Sequence, residues 1–168
     1  MSVMAQELAF KIRARRFISS IIHFLWMLRY RLIYLLRGKV VGARALVIRD
    51  NEVLLIRHTY NEGWYTIGGE VDKTELPLDA VKREIGEEAG VKALKDPELM
   101  GVYHTTFGKR DDYIFFYIVK EFDLVDSSSP EIEECRWFPF DNLPMDISPS
   151  TKRRIDEYHQ RSLITGKW

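Results

Sequence analysis

A single cysteine, Cys135, stands in 168 residues. No internal disulfide can form, and a reducing compartment is the simplest setting. Low-complexity runs and internal repeats are missing as well, which sets repeat arrays aside. There is no charge-free apolar run of bilayer length. The richest stretch, residues 17–36, carries Arg29, Arg31 and His23, whereas a span needs about 20 residues with few or no charges. No cleavage site of small residues follows that stretch at a workable distance, which argues against a processed signal segment. Net charge is lacking too, with 25 Lys and Arg against 25 Asp and Glu.

What remains is a globular composition, 46% hydrophobic and 30% charged, at a length suited to one domain with a sizeable core. The balanced charge conceals an uneven spread. Residues 1–44 hold nine Lys and Arg and one acidic residue, Glu7, a net +8. The remainder holds 16 basic and 24 acidic residues, a net −8. A basic arm over residues 1–40 therefore precedes an acidic body over residues 41–168.

The arm has helical periodicity. At about 100° per residue, Ser20, His23, Tyr30, Arg31, Tyr34 and Arg37 share one side, and Ile18, Ile21, Leu25, Leu28, Leu32 and Leu36 share the other. Arg29 breaks the apolar side, and Gly38 is a stop signal. Three readings stay open for this amphipathic helix. It packs on its own domain or on a partner chain, a homodimer included. It lies on an anionic membrane surface through residues 11–37, on the inner face of a membrane. Or it is a signal or anchor segment.

From Val41 onward the pattern turns to strands. VVGARALVIRD and VLLIRH form a hairpin around Asp50-Asn51. WYTIGGEV is a short strand running into a glycine pair. Residues 77–89 read as a helix with Pro77 in its first turn and Gly90 at its end. ELMGVYHTTF, DYIFFYIVKEF and IEECRWFPF are further strands, and Ser148 caps a last helix that runs to about Gln160. This order predicts an α/β or α+β sandwich.

The first helix carries Glu84, Glu87 and Glu88 at i, i+3 and i+4. They share one face, where like charges repel. A hard divalent cation, Mg²⁺ or Mn²⁺, would offset that repulsion. Taken alone, the cluster reads sooner as a solvated acidic face than as a metal site. Its surroundings add a glycine pair that lets backbone approach a ligand, Glu75 in the following loop, and Arg83 just before the first helix glutamate.

Read as Gly69-x5-Glu75-x7-Arg83-Glu84-Ile85-x-Glu87-Glu88-x-Gly90-Val91, the stretch resembles the Nudix hydrolase signature at all nine defined positions over 23 residues. The resemblance covers about Val41 to Gln160 and leaves the arm out. It implies an α/β/α sandwich with a mixed sheet, and Mg²⁺-dependent hydrolysis of a nucleoside diphosphate or triphosphate derivative. By position, Glu84 and Glu88 resemble the principal metal ligands. Glu87 resembles a direct or water-mediated ligand, and the Gly69 carbonyl a further one. Arg83 and Glu75 resemble a supporting pair that orients the carboxylates. Ile67 stands where many members have proline, and Thr74 where many have glycine.

The general base is open. Glu131 and Glu134 are candidates, each also readable as polar strand edge. Arg57, Tyr60 and Arg110 are candidates for substrate contact, through phosphate pairing or stacking; Trp64 and Tyr103 read as core. Nothing points to sequence-specific nucleic-acid binding. The expected partner is a small nucleotide diphosphate derivative in the cytoplasm. Two other readings stand beside the enzyme. One is a nucleotide sensor without catalysis; the other is a membrane-surface hydrolase of lipid-linked diphosphates.

Overall fold

The computed structural model describes residues 38–108, 110–160 and 164–168. The amphipathic helix expected in the arm, with its membrane-contact reading over residues 11–37, lies outside them; Lys39 and Val40, read as the end of the arm, open a strand. Among the described residues, no helix is long and apolar enough to cross a membrane.

The strands are β1 (Lys39–Arg49), β2 (Glu52–His58), β3 (Ile67–Glu70), β4 (Val91–Ala93), β5 (Glu98–Phe107), β6 (Arg110–Val119), β7 (Phe122–Leu124) and β8 (Ile132–Pro139). The helices are α1 (Pro77–Ala89) and α2 (Pro149–His159). The main sheet runs β5-β6-β1-β2-β8, with β3 also paired to β1. It is mixed, because β1 and β6 run parallel while the other pairs are antiparallel. As the sequence predicts, β1 and β2 form a tight hairpin, with Arg49 opposite Glu52 and Asp50 in the left-handed region at φ 53°.

Strand β1 is the central plank. Its alternation separates two apolar layers. Ala43, Ala45 and Val47 face Ala80, Val81 and Ile85 of α1. Leu46 and Ile48 face the other layer, with Ile155 of α2, Trp64 and Tyr103. The result is the expected α/β/α sandwich. One edge of β1 is shared between two partners: β2 takes its C-terminal end, and β3 pairs along Gly42–Ala45. That register sets Gly68 opposite Arg44 and Gly69 opposite Ala43.

Helix α1 starts with Pro77, whose missing N–H costs nothing in a first turn. It ends at Gly90, left-handed at φ 62°, whose N–H donates to Gly86 O. A Cβ on Gly90 would lie 2.1 Å from Val125 O, so no side chain fits. The buried stripe of this helix is Ala80, Val81, Ile85 and then Glu88. An apolar face that terminates in a carboxylate is the first structural sign of a site. Helix α2 opens at Ser148, which accepts the Thr151 N–H at 3.2 Å.

Two local features depart from the sequence reading. Phe122 does not continue β6. The chain leaves the main sheet after Val119, and β7 pairs instead with β4 in a separate two-stranded ribbon. Three-residue strands show too little alternation to be recognised in advance. Arg110, read as part of a turn, opens β6 and is buried.

Thr74 takes φ 74°, left-handed backbone that a β-branched residue adopts only under strain. This is the loop position where the resemblance leads one to expect glycine. Thr74→Gly should stabilise the fold by about 1 kcal/mol, strain relief less the entropy of glycine. Thermal unfolding should show a rise of about 2–4 °C. A fall in melting temperature would mean that the threonine side chain contributes more than its backbone costs.

Candidate active site

Arg83 organises the acidic face of α1. Its Nε and Nη2 donate to the two oxygens of Glu75, each at 3.0 Å, a bidentate pair. Its Nη1 donates to Glu84 Oε1 at 2.7 Å and to Glu87 Oε2 at 3.4 Å. Nη2 also reaches the Glu70 carbonyl at 3.3 Å, tying the helix to β3. Glu75 in turn accepts the Asp72 N–H at 2.9 Å, which closes the loop that carries it. Hydrogen bonds from Arg83, then from Asp72, hold the Glu75 carboxyl below the usual carboxylate range.

The carboxylates differ in environment. Glu88 is buried and accepts the Gly68 N–H at 2.9 Å. Burial pushes its pKa up to about 8; the Gly68 hydrogen bond opposes this and the neighbouring Glu84 charge adds to it. Burial also raises Glu84, against the pull of Arg83. Glu87 stays 62% exposed.

The glycine pair fits around them. A Cβ on Gly69 would sit 2.6 Å from Glu84 Oε1. Gly68, at φ 133°, leaves room for the Arg44 backbone, which a Cβ there would meet at 2.7 Å.

These groups line one end of a cavity of about 750 Å³, a volume within the usual range for small-molecule sites. Tyr60 and Arg110, both singled out in the sequence, line it, as does Glu131. Arg110 makes a bidentate pair with Asp112. His58 stacks on Tyr60 with ring centroids 5.0 Å apart, and its Nδ1 is buried with no hydrogen-bond partner among the described residues. Burial, with the Arg44 charge, lowers the His58 pKa to about 4, so the ring is neutral at neutral pH. Burial, followed by the charges of Glu131 and Glu88, raises Tyr60 above the ordinary phenol range.

Two candidates lie elsewhere. Arg57 is not among the cavity residues; it pairs with Asp146 at 3.0 Å and stacks 4.8 Å from the Trp64 ring centroid. Neighbouring strand residues alternate sides, so His58 reaches the cavity while Arg57 turns away. Glu134 is also absent from the lining and pairs with Arg136 on its own strand. A register shift between Arg57 and His58 in the β2–β8 pairing separates it from Glu131.

Arg44 was missed. It lines the cavity, and its Nη1 donates to Thr66 O at 3.2 Å. Among the described residues no carboxylate lies within ion-pair distance of it. A lone arginine in the apolar run of β1 was the available signal. Trp168, also in the lining, had no local signal.

Residues 38–158 match the family model described as NUDIX domain. The chain belongs to the Nudix family. A probable DHNTP pyrophosphohydrolase of Lactococcus lactis subsp. cremoris is 28% identical over 137 residues, covering 74% of this chain and 79% of that protein. Diphosphoinositol polyphosphate phosphohydrolase 2 of Rattus norvegicus is 36% identical over 74 residues, 44% of this chain and 41% of that protein. Among solved structures, the MutT Nudix hydrolase of Burkholderia pseudomallei is 27% identical at TM-score 0.60, covering 70% of this chain and 96% of that one. This Nudix protein is a diphosphate-cleaving hydrolase of the class acting on phosphorus-containing anhydrides. Nudix hydrolases generally use divalent metal ions.

The donor set here fits such an ion: three carboxylates with one guanidinium among them, and a glycine whose missing side chain leaves Glu84 its place. As they stand, no three such side chains among the described residues converge tightly enough to hold an ion. Glu84 turns to Arg83 and Glu88 to Gly68, and the exposed Glu87 also reaches Arg83, at 3.4 Å.

The raised Glu88 pKa has a stability consequence. The folded chain holds a proton that the unfolded chain releases near pH 4.5. The stabilisation is therefore complete below about pH 4.5 and is lost as pH rises toward about 8. In chelator, the melting temperature should fall across this window, and Glu88→Gln should flatten the fall. An unchanged slope in Glu88→Gln would remove Glu88 as the titrating group.

Proposed function

We propose that this Nudix hydrolase cleaves the diphosphate of a small nucleoside diphosphate or triphosphate derivative, with Mg²⁺ bound and Mn²⁺ as substitute. The observation that carries the reading is the carboxylate face of α1 held open at the end of a cavity by Arg83. A non-catalytic sensor would have no use for three like charges kept at such cost.

Glu84 and Glu88 would hold the ion, with Glu87 and the Gly69 carbonyl beside them. When bound, Mg²⁺ neutralises phosphate oxygens and lowers the pKa of water. The chain's own residues do the rest. Arg83 keeps Glu84 oriented and is itself fixed by Glu75. Arg44 offers its guanidinium to a phosphate oxygen. Glu131 accepts the proton of the attacking water at a carboxylate oxygen. Oxygen bonds to phosphorus as the bridging P–O bond breaks, and the electron pair leaves with the departing phosphate. A soluble cytoplasmic substrate suits the single cysteine and the cavity's size.

Phosphate release from a panel of nucleoside diphosphate and triphosphate derivatives tests this, with Mg²⁺, Mn²⁺ or chelator present. Turnover of at least one class should depend on metal; none across the panel, with the protein folded, would contradict the reading. In the responding assay, Glu84→Gln or Glu88→Gln should lower the rate at least about a hundredfold. Glu131→Gln should cost about 10²-fold, the scale of general-base loss, while Glu134→Gln stays within about twofold. Equal loss in the two last variants would remove Glu131 from the role.

A further inference from the structure

The cavity has a second wall, far in sequence from the carboxylates. Residues 164–168 run alongside β5 as a strap. The His104 N–H donates to Gly166 O at 2.8 Å, and the Trp168 N–H donates to His104 O at 3.0 Å. Beneath it lies Arg154, wholly buried. Arg154 Nη1 donates to Lys167 O at 2.7 Å, and Nη2 donates to Glu157 Oε1 at 2.7 Å. The Tyr103 hydroxyl donates to the other Glu157 oxygen at 2.9 Å. The Arg154 guanidinium also sits 3.9 Å from the Tyr103 ring centroid and 5.5 Å from that of Trp168. Hydrogen bonds at both Nη atoms offset part of the cost of burying this ion pair, while Arg154 Nε has no partner among the described residues. Here one arm of that pair is spent on a strap carbonyl, which fixes the strap against the sheet.

The strap delivers Trp168. Its ring packs on Tyr103 and Phe116, at centroid distances of 6.0 and 5.7 Å, yet part of the residue lines the cavity. Between it and the carboxylates lies Arg44. The Arg44 guanidinium is 6.0 Å from the indole centroid, and its charge acts on Glu84 and Glu88. Along one cavity the order is thus carboxylate face, arginine, indole.

We infer that Trp168 is a substrate-contacting residue. Its indole supports a planar heterocyclic ring borne by the diphosphate, and Arg44 spans from that ring to the phosphates. This rests on the nucleoside-diphosphate reading and adds the residues that hold the ring and join it to the phosphates. The cavity's charge agrees. Among the described residues Arg83 is committed to Glu75 and Arg110 to Asp112, which leaves the Arg44 guanidinium facing the lining without an acidic partner. A flat ring borne by the diphosphate finds a stacking surface on the indole, with the Arg44 guanidinium beside it.

Binding of two kinds of probe, measured by calorimetry with Mg²⁺, tests the assignment. One is the set of α,β-methylene diphosphates of adenosine, guanosine, cytidine and uridine; the other is ring-free methylenediphosphonate. Trp168→Ala should weaken the best nucleotide about tenfold or more, leaving methylenediphosphonate within about twofold and the melting curve cooperative. Trp168→Phe, which keeps a stacking face and protects the fold, should recover most of the affinity. Wild-type tryptophan fluorescence should change on nucleotide binding, and that change should vanish in Trp168→Phe. Equal weakening of both probes in Trp168→Ala would assign Trp168 a structural role and overturn the inference. So would nucleotide affinity unchanged in Trp168→Ala, or a wild type that binds methylenediphosphonate and no nucleotide. A wild type that binds neither probe would overturn the diphosphate reading itself.

Discussion

One guanidinium carries the architecture of the acidic site. Three carboxylates within a single helical turn repel one another, and two of them are pressed toward low dielectric. Arg83 is inserted among them, sharing its five donors between Glu75, Glu84, Glu87 and the Glu70 carbonyl. The bidentate clamp to Glu75 keeps that guanidinium from collapsing wholly onto the helix glutamates. Glu75 is kept in reach by the turn at Asp72 and by the left-handed Thr74. Loop strain, clamp and acidic face therefore form one chain of dependence.

The sheet supplies the other half. Strand β1 gives the first part of one edge to β3, which is only four residues long and half glycine. Missing side chains let α1 approach β3 until Glu84 touches Gly69 and Glu88 takes the Gly68 N–H. The same gap lets Arg44 cross from β1 into the cavity. Burial of Glu88 follows from this close approach, and with it the high pKa, which a bound divalent cation would reverse. A destabilised, proton-holding carboxylate at the end of an apolar stripe is what a site costs the fold that carries it.

Much of this was legible along the chain, for physical reasons that differ by element. The helix at residues 77–89 announces itself through Pro77, Gly90 and an apolar stripe, all local signals. The carboxylate set was readable because one helical turn brings i, i+3 and i+4 together without help from tertiary structure. The hairpin at Asp50-Asn51 was equally local. Arg57 was misplaced because neighbouring strand residues point to opposite faces, and a bulge near His58 decides which face meets the cavity. Glu131 and Glu134 looked alike in sequence; only pairing with β2 separates them. Arg44 needed the β1–β3 register, and Trp168 needed contacts with residues more than 50 positions away. Local chemistry is written in short spacings, while the cavity's far wall exists only once the sheet has closed.

On this reading the acidic face of α1 is a divalent-cation site. Titration of the folded protein with Mn²⁺, followed by the electron paramagnetic resonance of the free ion, tests it most directly. The protein should remove Mn²⁺ from the free signal, Mg²⁺ should compete it back, and Glu84→Gln with Glu88→Gln should abolish the uptake. A free Mn²⁺ signal that rises in proportion to added ion, as it does in buffer alone, would contradict it.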